Sequence, residues 1–146
     1  MGQCTTDLAR AVRFYVELFG FEVERDLEIP DEGSVELLGM EPPLGLHAVY
    51  LRGGGIVLEL LTFDRPGNPP RAERVMNEPG LTHLSLSVEA FDDVLERVPA
   101  LGGEILSRLP AAAMVRDPDG QLLEILTMAY HDHVARSRAA AADGDG

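Results

Sequence analysis

The chain carries a single cysteine, Cys4, only 12 basic residues against 25 acidic ones, and no long uninterrupted apolar run. One cysteine excludes an intramolecular disulfide framework and any cysteine-rich zinc module. The shortage of basic residues leaves a formal charge of −13. Neutralising nucleic-acid phosphates takes clustered Lys and Arg, so no nucleic-acid partner is expected. An anionic membrane surface repels such a chain for the same reason. No stretch approaches the roughly 18 apolar residues of a membrane span. The segment Met1-Gly2-Gln3-Cys4-Thr5-Thr6-Asp7 has neither a basic nor an apolar signal region, so a cytoplasmic location is expected. What is present suits a globular protein. Hydrophobic residues at 45% and charged residues at 25% over 146 positions allow one domain, or two small halves sharing a core.

Apolar residues at 8, 11, 12, 15, 18 and 19 predict a first helix, capped by Thr6 or Asp7 and stopped by Gly20. Residues 21–25 alternate as a strand. A Pro- and Gly-punctuated stretch over about 30–45 then holds a short apolar run from Val35 to Leu38. Residues 46–51 and 56–62 are predicted strands, joined by a hairpin at Gly53-Gly54-Gly55. That triple glycine lacks a following helix and a Lys-Ser/Thr pair, so it is no phosphate cradle. After a proline-rich connector the pattern begins again. A strand over 81–88, a helix over 91–101 cut short by Pro99, and strands over 104–106, 111–115 and 121–127 are predicted. A tight turn at Asp117-Pro118-Asp119-Gly120 precedes the last strand.

Both halves give strand, helix, strand, strand, strand, which points to an internal repeat. A shift of 83 places Leu8 on Phe91, Val12 on Leu95, Leu18 on Leu101 and Gly20 on Gly103. A shift of 65 places Gly55 on Gly120, Leu58 on Leu123, Glu59 on Glu124 and Thr62 on Thr127. The expected fold class is therefore α+β, built of two βαβββ modules in one domain over 1–128. Module one spans 1–63, a connector 64–80 and module two 81–128, with a C-terminal extension over 129–146 expected to be partly disordered.

The repeat exposes a chemical pattern. Glu59 and Glu124 each follow the turn glycine by four residues, inside an apolar run. Strand alternation gives Glu59 the face of Val57 and Leu61, and Glu124 the face of Leu122 and Leu126. A carboxylate on an apolar face needs a cation, a partner or an outward orientation. His83 shares its strand face with Ser85 and Ser87, small polar residues suited to a cavity wall. One imidazole and two carboxylates suit a divalent ion such as Zn, Mn, Fe, Co or Ni.

Asp7-Leu8 with Phe14-Tyr15 and Leu18-Phe19-Gly20-Phe21, Gly80-Leu81-Thr82-His83-Leu84-Ser85-Leu86-Ser87-Val88, and Asp117-Pro118-Asp119-Gly120-Gln121-Leu122-Leu123-Glu124 resemble the vicinal oxygen chelate superfamily. That superfamily includes glyoxalase I, methylmalonyl-CoA epimerase, extradiol dioxygenases, and fosfomycin- and bleomycin-resistance proteins. The resemblance implies that the modules curve into an open, incomplete β-barrel cup holding a divalent metal, and that the chain forms a homodimer. By position Glu59, His83 and Glu124 match the second, third and fourth ligands of the glyoxalase-like arrangement. The first ligand falls seven residues before Asp7, at position zero. Either an upstream residue supplies it, or three side chains and water hold the metal. Alternation turns Gln3 away from the cup and sets Gly2 and Cys4 along it. The expected cavity is thus lined by Gly2, Cys4, Val57, Leu61, Ser85, Ser87, Leu122 and Leu126.

Other candidates weigh less. His47 is expected to be structural or cavity-lining, and His131 and His133 to lie in a solvated segment. Arg65, Arg71 and Arg74 near the connector are within reach of an anionic group, but exposed arginines are common. Cys4 is expected to pack rather than react, Phe14 and Tyr15 to be core, and Asp117 and Asp119 to serve the turn.

The function implied is a metal-dependent enzyme of the glyoxalase or epimerase type, a lyase or isomerase acting on a small molecule. Glu124 or Glu59 is the expected general base, moving a proton beside an oxygen that the metal polarises. Cys4 stands where the glyoxalase pattern has an Arg, and Phe63 where it has an Asn, which weighs against glutathione recognition. Two alternatives remain open: a ring-cleaving dioxygenase-like enzyme, and a non-catalytic protein that binds a small, antibiotic-type molecule.

Overall fold

The structure is a computed structural model that describes residues 1–64, 67–69, 76–77 and 79–133. Asp7 caps the first helix, α1 (Leu8–Phe19), by accepting a hydrogen bond from the Arg10 amide, and Gly20 ends it in the left-handed region at φ 70°. The short strand β1 (Gly2–Cys4) precedes it, and β2 (Glu22–Ile29), β3 (Leu46–Gly53) and β4 (Ile56–Phe63) complete module one. Module two repeats the plan with β5 (His83–Val88), α3 (Phe91–Arg97), β6 (Glu104–Arg108), β7 (Ala112–Arg116) and β8 (Leu122–Thr127).

Each module forms one open four-stranded sheet, in the orders β1-β4-β3-β2 and β5-β8-β7-β6. The first strand of each runs parallel to the last, and the other neighbours are antiparallel. The two sheets stay open and do not close into a barrel, in keeping with the incomplete barrel that the resemblance implies.

Three details differ from the sequence reading. The punctuated stretch after β2 contains a short helix, α2 (Asp31–Leu38), bent where Glu32 and Gly33 leave helical geometry. Its apolar residues do not reach the core, and Leu37 is 84% exposed, which is why periodicity gave no helical signal there. β2 runs on to Ile29 because β3 pairs with it across its whole length, despite a bulge between Val23 and Arg25. The second helix ends at Arg97, and a 3-10 turn over Pro99–Leu101 finishes the segment, since Pro99 has no amide to donate. Beyond β8 residues 128–133 are helical.

Period-two alternation sorts the sheets. Leu58 and Leu60 of β4, with Val49 and Leu51 of β3, pack against Ala11, Phe14, Tyr15 and Leu18 of α1. Leu123 and Ile125 of β8, with Ala113 and Val115 of β7, pack against Phe91, Val94 and Leu95. All belong to a single core, so one face of each sheet shares one interior. Gly103 permits the join: a Cβ there would sit 2.8 Å from Phe14 of module one and 2.8 Å from the Arg116 carbonyl. The opposite face of each sheet carries Val57, Glu59 and Leu61, or Leu122, Glu124 and Leu126, all half-buried.

Polar contacts hold the modules in register. The Asp117 side chain is 3% exposed. It accepts hydrogen bonds from the Tyr15 hydroxyl at 2.9 Å and the Gln3 amide at 2.5 Å, both in module one, and from the amides of Asp119 and Gln121 in its own turn. Asp119 accepts from the hydroxyls of Thr5 and Thr6 and pairs with Arg10 at 3.4 Å. The two turn carboxylates therefore do more than shape the turn.

Replacing Asp117 with Ala leaves a side-chain amide and two backbone amides without their acceptor, and the buried Tyr15 hydroxyl with Gln3 Oε1 alone. The expected loss is about 2–4 kcal/mol, read as a lower urea midpoint at constant slope, whereas Tyr15→Phe costs about 1 kcal/mol. Acid should act through Asp119. Burial alone raises its carboxyl, but the Thr5 and Thr6 hydrogen bonds and Arg10 outweigh that and hold it below its ordinary 3.8. Its stabilisation is complete above that ordinary value and disappears as pH falls through the lowered one. Asp119→Asn should flatten the stability-against-pH curve below about pH 4.

Candidate metal centre

In module two the parallel pairing of β5 with β8 sets His83 opposite Leu122, Ser85 opposite Glu124 and Ser87 opposite Leu126, all on the face away from the core. His83 Nε2 lies 3.7 Å from Glu124 Oε2, with about a third of each side chain exposed. Ligands of a tetrahedral zinc at about 2.0–2.2 Å lie about 3.3–3.6 Å from one another, so this pair needs little adjustment to share an ion. Thr82 Oγ1 lies 2.9 Å from His83 Nδ1. With the ring proton on Nδ1, donated to that hydroxyl, Nε2 keeps its lone pair toward Glu124, the arrangement that suits a metal-ligating imidazole. The Ser85 hydroxyl donates to Glu124 Oε2 at 2.6 Å. The pair therefore fits a divalent ion.

In module one the corresponding strand β4 presents Glu59 between Val57 and Leu61. Gly2 of β1 lies opposite Glu59, and Cys4 opposite Leu61. On the other side Tyr50 of β3 lies opposite Glu59 and donates its hydroxyl to Oε1 at 2.6 Å. That hydrogen bond, with some burial and the nearby carboxylate charge, pushes the Tyr50 phenol up, while Arg25 pulls it the other way. Glu59 and the His83–Glu124 pair belong to different sheets. Among the described residues no three His, Cys, Asp or Glu side chains gather at one point.

A cleft of 420 Å³ runs between the modules, lined by Gly2, Cys4, Asn68, His83, Asp119 and Gln121 among others. Gln3 points away from Gly2 and Cys4, into its bonds with Tyr15 and Asp117, as alternation requires. Cys4 Sγ donates to Asn68 Oδ1 at 3.1 Å. Burial and the Asp119 charge raise its thiol, against a smaller opposing effect of the Thr5 amide, so thiolate chemistry is not favoured there.

His47 Nε2 lies 2.5 Å from Asp26 Oδ1 beside a separate groove of 470 Å³ lined by Glu28, Asp31, Thr62 and Asp64. His131 and His133 fall in the helical residues 128–133, beyond β8. Arg65, Arg71 and Arg74 lie outside the described residues. Two polar residues at the site escaped the sequence reading. Asn68 bonds Cys4, Thr62 and Phe63 across the connector, and no local pattern marks it. Tyr50 was within reach: the hairpin register through Gly53 and Ile56 sets it opposite Glu59.

Comparison with known proteins agrees with this fold. The family model described as Glyoxalase/Bleomycin resistance protein/Dioxygenase superfamily matches residues 1–125. A lactoylglutathione lyase of Arabidopsis thaliana is 28% identical over 129 residues, covering 82% of this chain. The chain spans only 40% of that relative's length. Among solved structures, a glyoxalase family protein from Bacillus cereus superimposes with a TM-score of 0.74 at 18% identity, over 87% of this chain and 90% of its own. The trypanothione-dependent glyoxalase I of Leishmania major gives 0.74 at 20% identity, over 100% of this chain and 96% of its own. The fosfomycin resistance protein FosX of Mesorhizobium loti gives 0.62 at 19% identity, over 86% of each chain. At these identities the structural matches speak for the fold, and the family match carries the assignment. No helix of the described residues is long and apolar enough to cross a membrane. The repeat, the sheet orders and the matched span lead to one conclusion: the chain belongs to the glyoxalase/bleomycin resistance protein/dioxygenase superfamily.

Proposed function

We propose that the chain is a divalent-metal-dependent enzyme of the glyoxalase type, a lyase or isomerase that moves a proton on a small substrate. The observation that carries this reading is the His83–Glu124 pair, 3.7 Å apart with Nε2 facing the carboxylate. The lactoylglutathione lyase relative adds support at the level of reaction class. Glu59, His83 and Glu124 are the residues that would hold the ion. When bound, a divalent ion supplies Lewis acidity, lowering the cost of negative charge on a substrate oxygen.

The chain's own groups do the rest. Glu124 or Glu59 takes a proton from the carbon next to that oxygen and returns it to a neighbouring atom. Ser85 directs Glu124 by bonding one of its oxygens. Val57, Leu61, Leu122 and Leu126, each half-buried, flank the two carboxylates and shield them in part from water.

The reading includes a homodimer. Glu59 sits on one sheet and His83 with Glu124 on the other, each on the face away from the shared core. Two copies that pair those faces bring Glu59 of one protomer to His83 and Glu124 of its partner, which completes a three-residue site twice.

Titration with Co²⁺ should show binding in the unaltered chain and a loss of at least about tenfold in affinity for each of Glu59→Ala, His83→Ala and Glu124→Ala. Full affinity in all three would remove these residues from the site. Mixing Glu59→Ala chains with His83→Ala chains tests the sharing. Half of the random dimers are mixed and each holds one intact site, so about a quarter of the sites should return. A mixture that binds no more than its components rules out the shared arrangement.

A further inference from the structure

The two glutamates occupy equivalent positions in the repeat, yet their carboxylates are held from opposite sides. Glu124 receives its hydroxyl from Ser85 on β5, and the residue opposite it on β7 is Met114, which has no hydroxyl to give. Glu59 receives its hydroxyl from Tyr50 on β3, and the residue opposite it on β1 is Gly2, which likewise has none. Ser85 and Gly2 correspond under the shift of 83 that relates the two modules. Met114 and Tyr50 correspond by their register to Glu124 and Glu59. The donor has changed strand between modules, and each carboxylate has kept one.

We propose that Tyr50 is a positioning residue that orients Glu59, bonding Oε1 and leaving Oε2 to face an ion over Gly2. This rests on the reading of Glu59 as a metal ligand. A glutamate carboxylate rotates broadly about its last torsion, and a free one offers either oxygen or both. A hydroxyl 2.6 Å from Oε1 removes that freedom. The other oxygen looks toward β1, since a Cβ built on Gly2 would stand 3.3 Å from Oε2. A side chain at position 2 would press on that oxygen, and the glycine leaves it unobstructed on that side. Tyr50 is itself constrained. It sits in the β3–β4 hairpin ladder, and Arg25, opposite it on β2, places its guanidinium carbon 5.9 Å from the ring centroid. Gly2, Glu59, Tyr50 and Arg25 form one row across all four strands of the sheet.

The test is Co²⁺ affinity and the visible spectrum of the bound ion, in the full chain, for Tyr50→Phe, Glu59→Gln and the double variant. Tyr50→Phe removes only the hydroxyl, so thermal unfolding of the metal-free protein should be nearly unchanged. Its Co²⁺ affinity should fall about 10- to 100-fold and its visible bands should shift, because Glu59 loses its fixed orientation. In the Glu59→Gln background the same substitution should add nothing further. Unchanged affinity in Tyr50→Phe alongside a large loss in Glu59→Gln would overturn the role of Tyr50 while leaving the metal site intact. Equal effects of Tyr50→Phe with and without Glu59 would overturn it as well, since the hydroxyl would then act elsewhere. Unchanged affinity in Glu59→Gln would remove Glu59 from the site, and the inference with it.

Discussion

A carboxylate withdrawn from water must be surrounded by donors, and Asp117 is the place where this chain meets that requirement. Two of its donors are backbone amides of its own turn, which set the direction in which β8 leaves. The other two are Gln3 and Tyr15, from the first strand and first helix of module one. The same hydrogen bonds therefore aim the strand that carries Glu124 and anchor the strand that runs beside Glu59. Tyr15 joins them to the core, for its ring packs against Phe14, Phe19 and Phe21 while its hydroxyl reaches Asp117. Burial, with the adjacent Asp117 charge, raises that phenol well above its ordinary range, so it stays a donor across the working pH range. Thr5, Thr6 and Arg10 on Asp119 extend the seam by one more turn. Loosening this seam would move the strands that carry both glutamates together.

Because side chains on a strand alternate, each sheet offers one face to the shared core and the other to the glutamate and its half-buried apolar neighbours. A one-residue slip of β4 or β8 would turn Glu59 or Glu124 into the core and Leu58 and Leu60, or Leu123 and Ile125, out of it, at a cost of several kcal/mol. The glutamates thus report register as well as chemistry. Val57, Leu61, Leu122 and Leu126 beside them are only half-buried by the chain itself. Apolar area of that kind gains stability when a ligand or a second copy covers it.

What was legible in the sequence is what local periodicity and repetition encode. Glu59 and Glu124 stood out because a charge interrupts an alternating apolar strand at the same place twice. Gln3 was turned correctly away from Gly2 and Cys4 by parity alone. The helix α2 was not legible, because its residues serve no apolar face and Gly33 breaks its first turn. Nor was the second task of Asp117. A turn explains Asp in that sequence fully, and only the arrival of Gln3 and Tyr15 from more than a hundred positions away shows that the carboxylate also spans the modules. Tyr50 falls between these cases: the hairpin register sets it opposite Glu59, but only side-chain geometry shows the hydroxyl bonded to Oε1.

Charge closes the argument. The basic residues of this chain are all arginines, and acidic residues outnumber them 25 to 12. Among the described residues Arg10, Arg13, Arg52, Arg108 and Arg116 each pair with a carboxylate, and none of those carboxylates is Glu59 or Glu124. The two site glutamates instead hold hydroxyl donors, from Tyr50 and Ser85, which fix their orientation without cancelling their charge. A chain that sought only to satisfy two half-buried carboxylates would gain more from an arginine at either place, since its guanidinium adds an opposite charge and a second, parallel bond. Hydroxyl donors leave the negative potential standing beside apolar side chains, where it attracts a cation from solution.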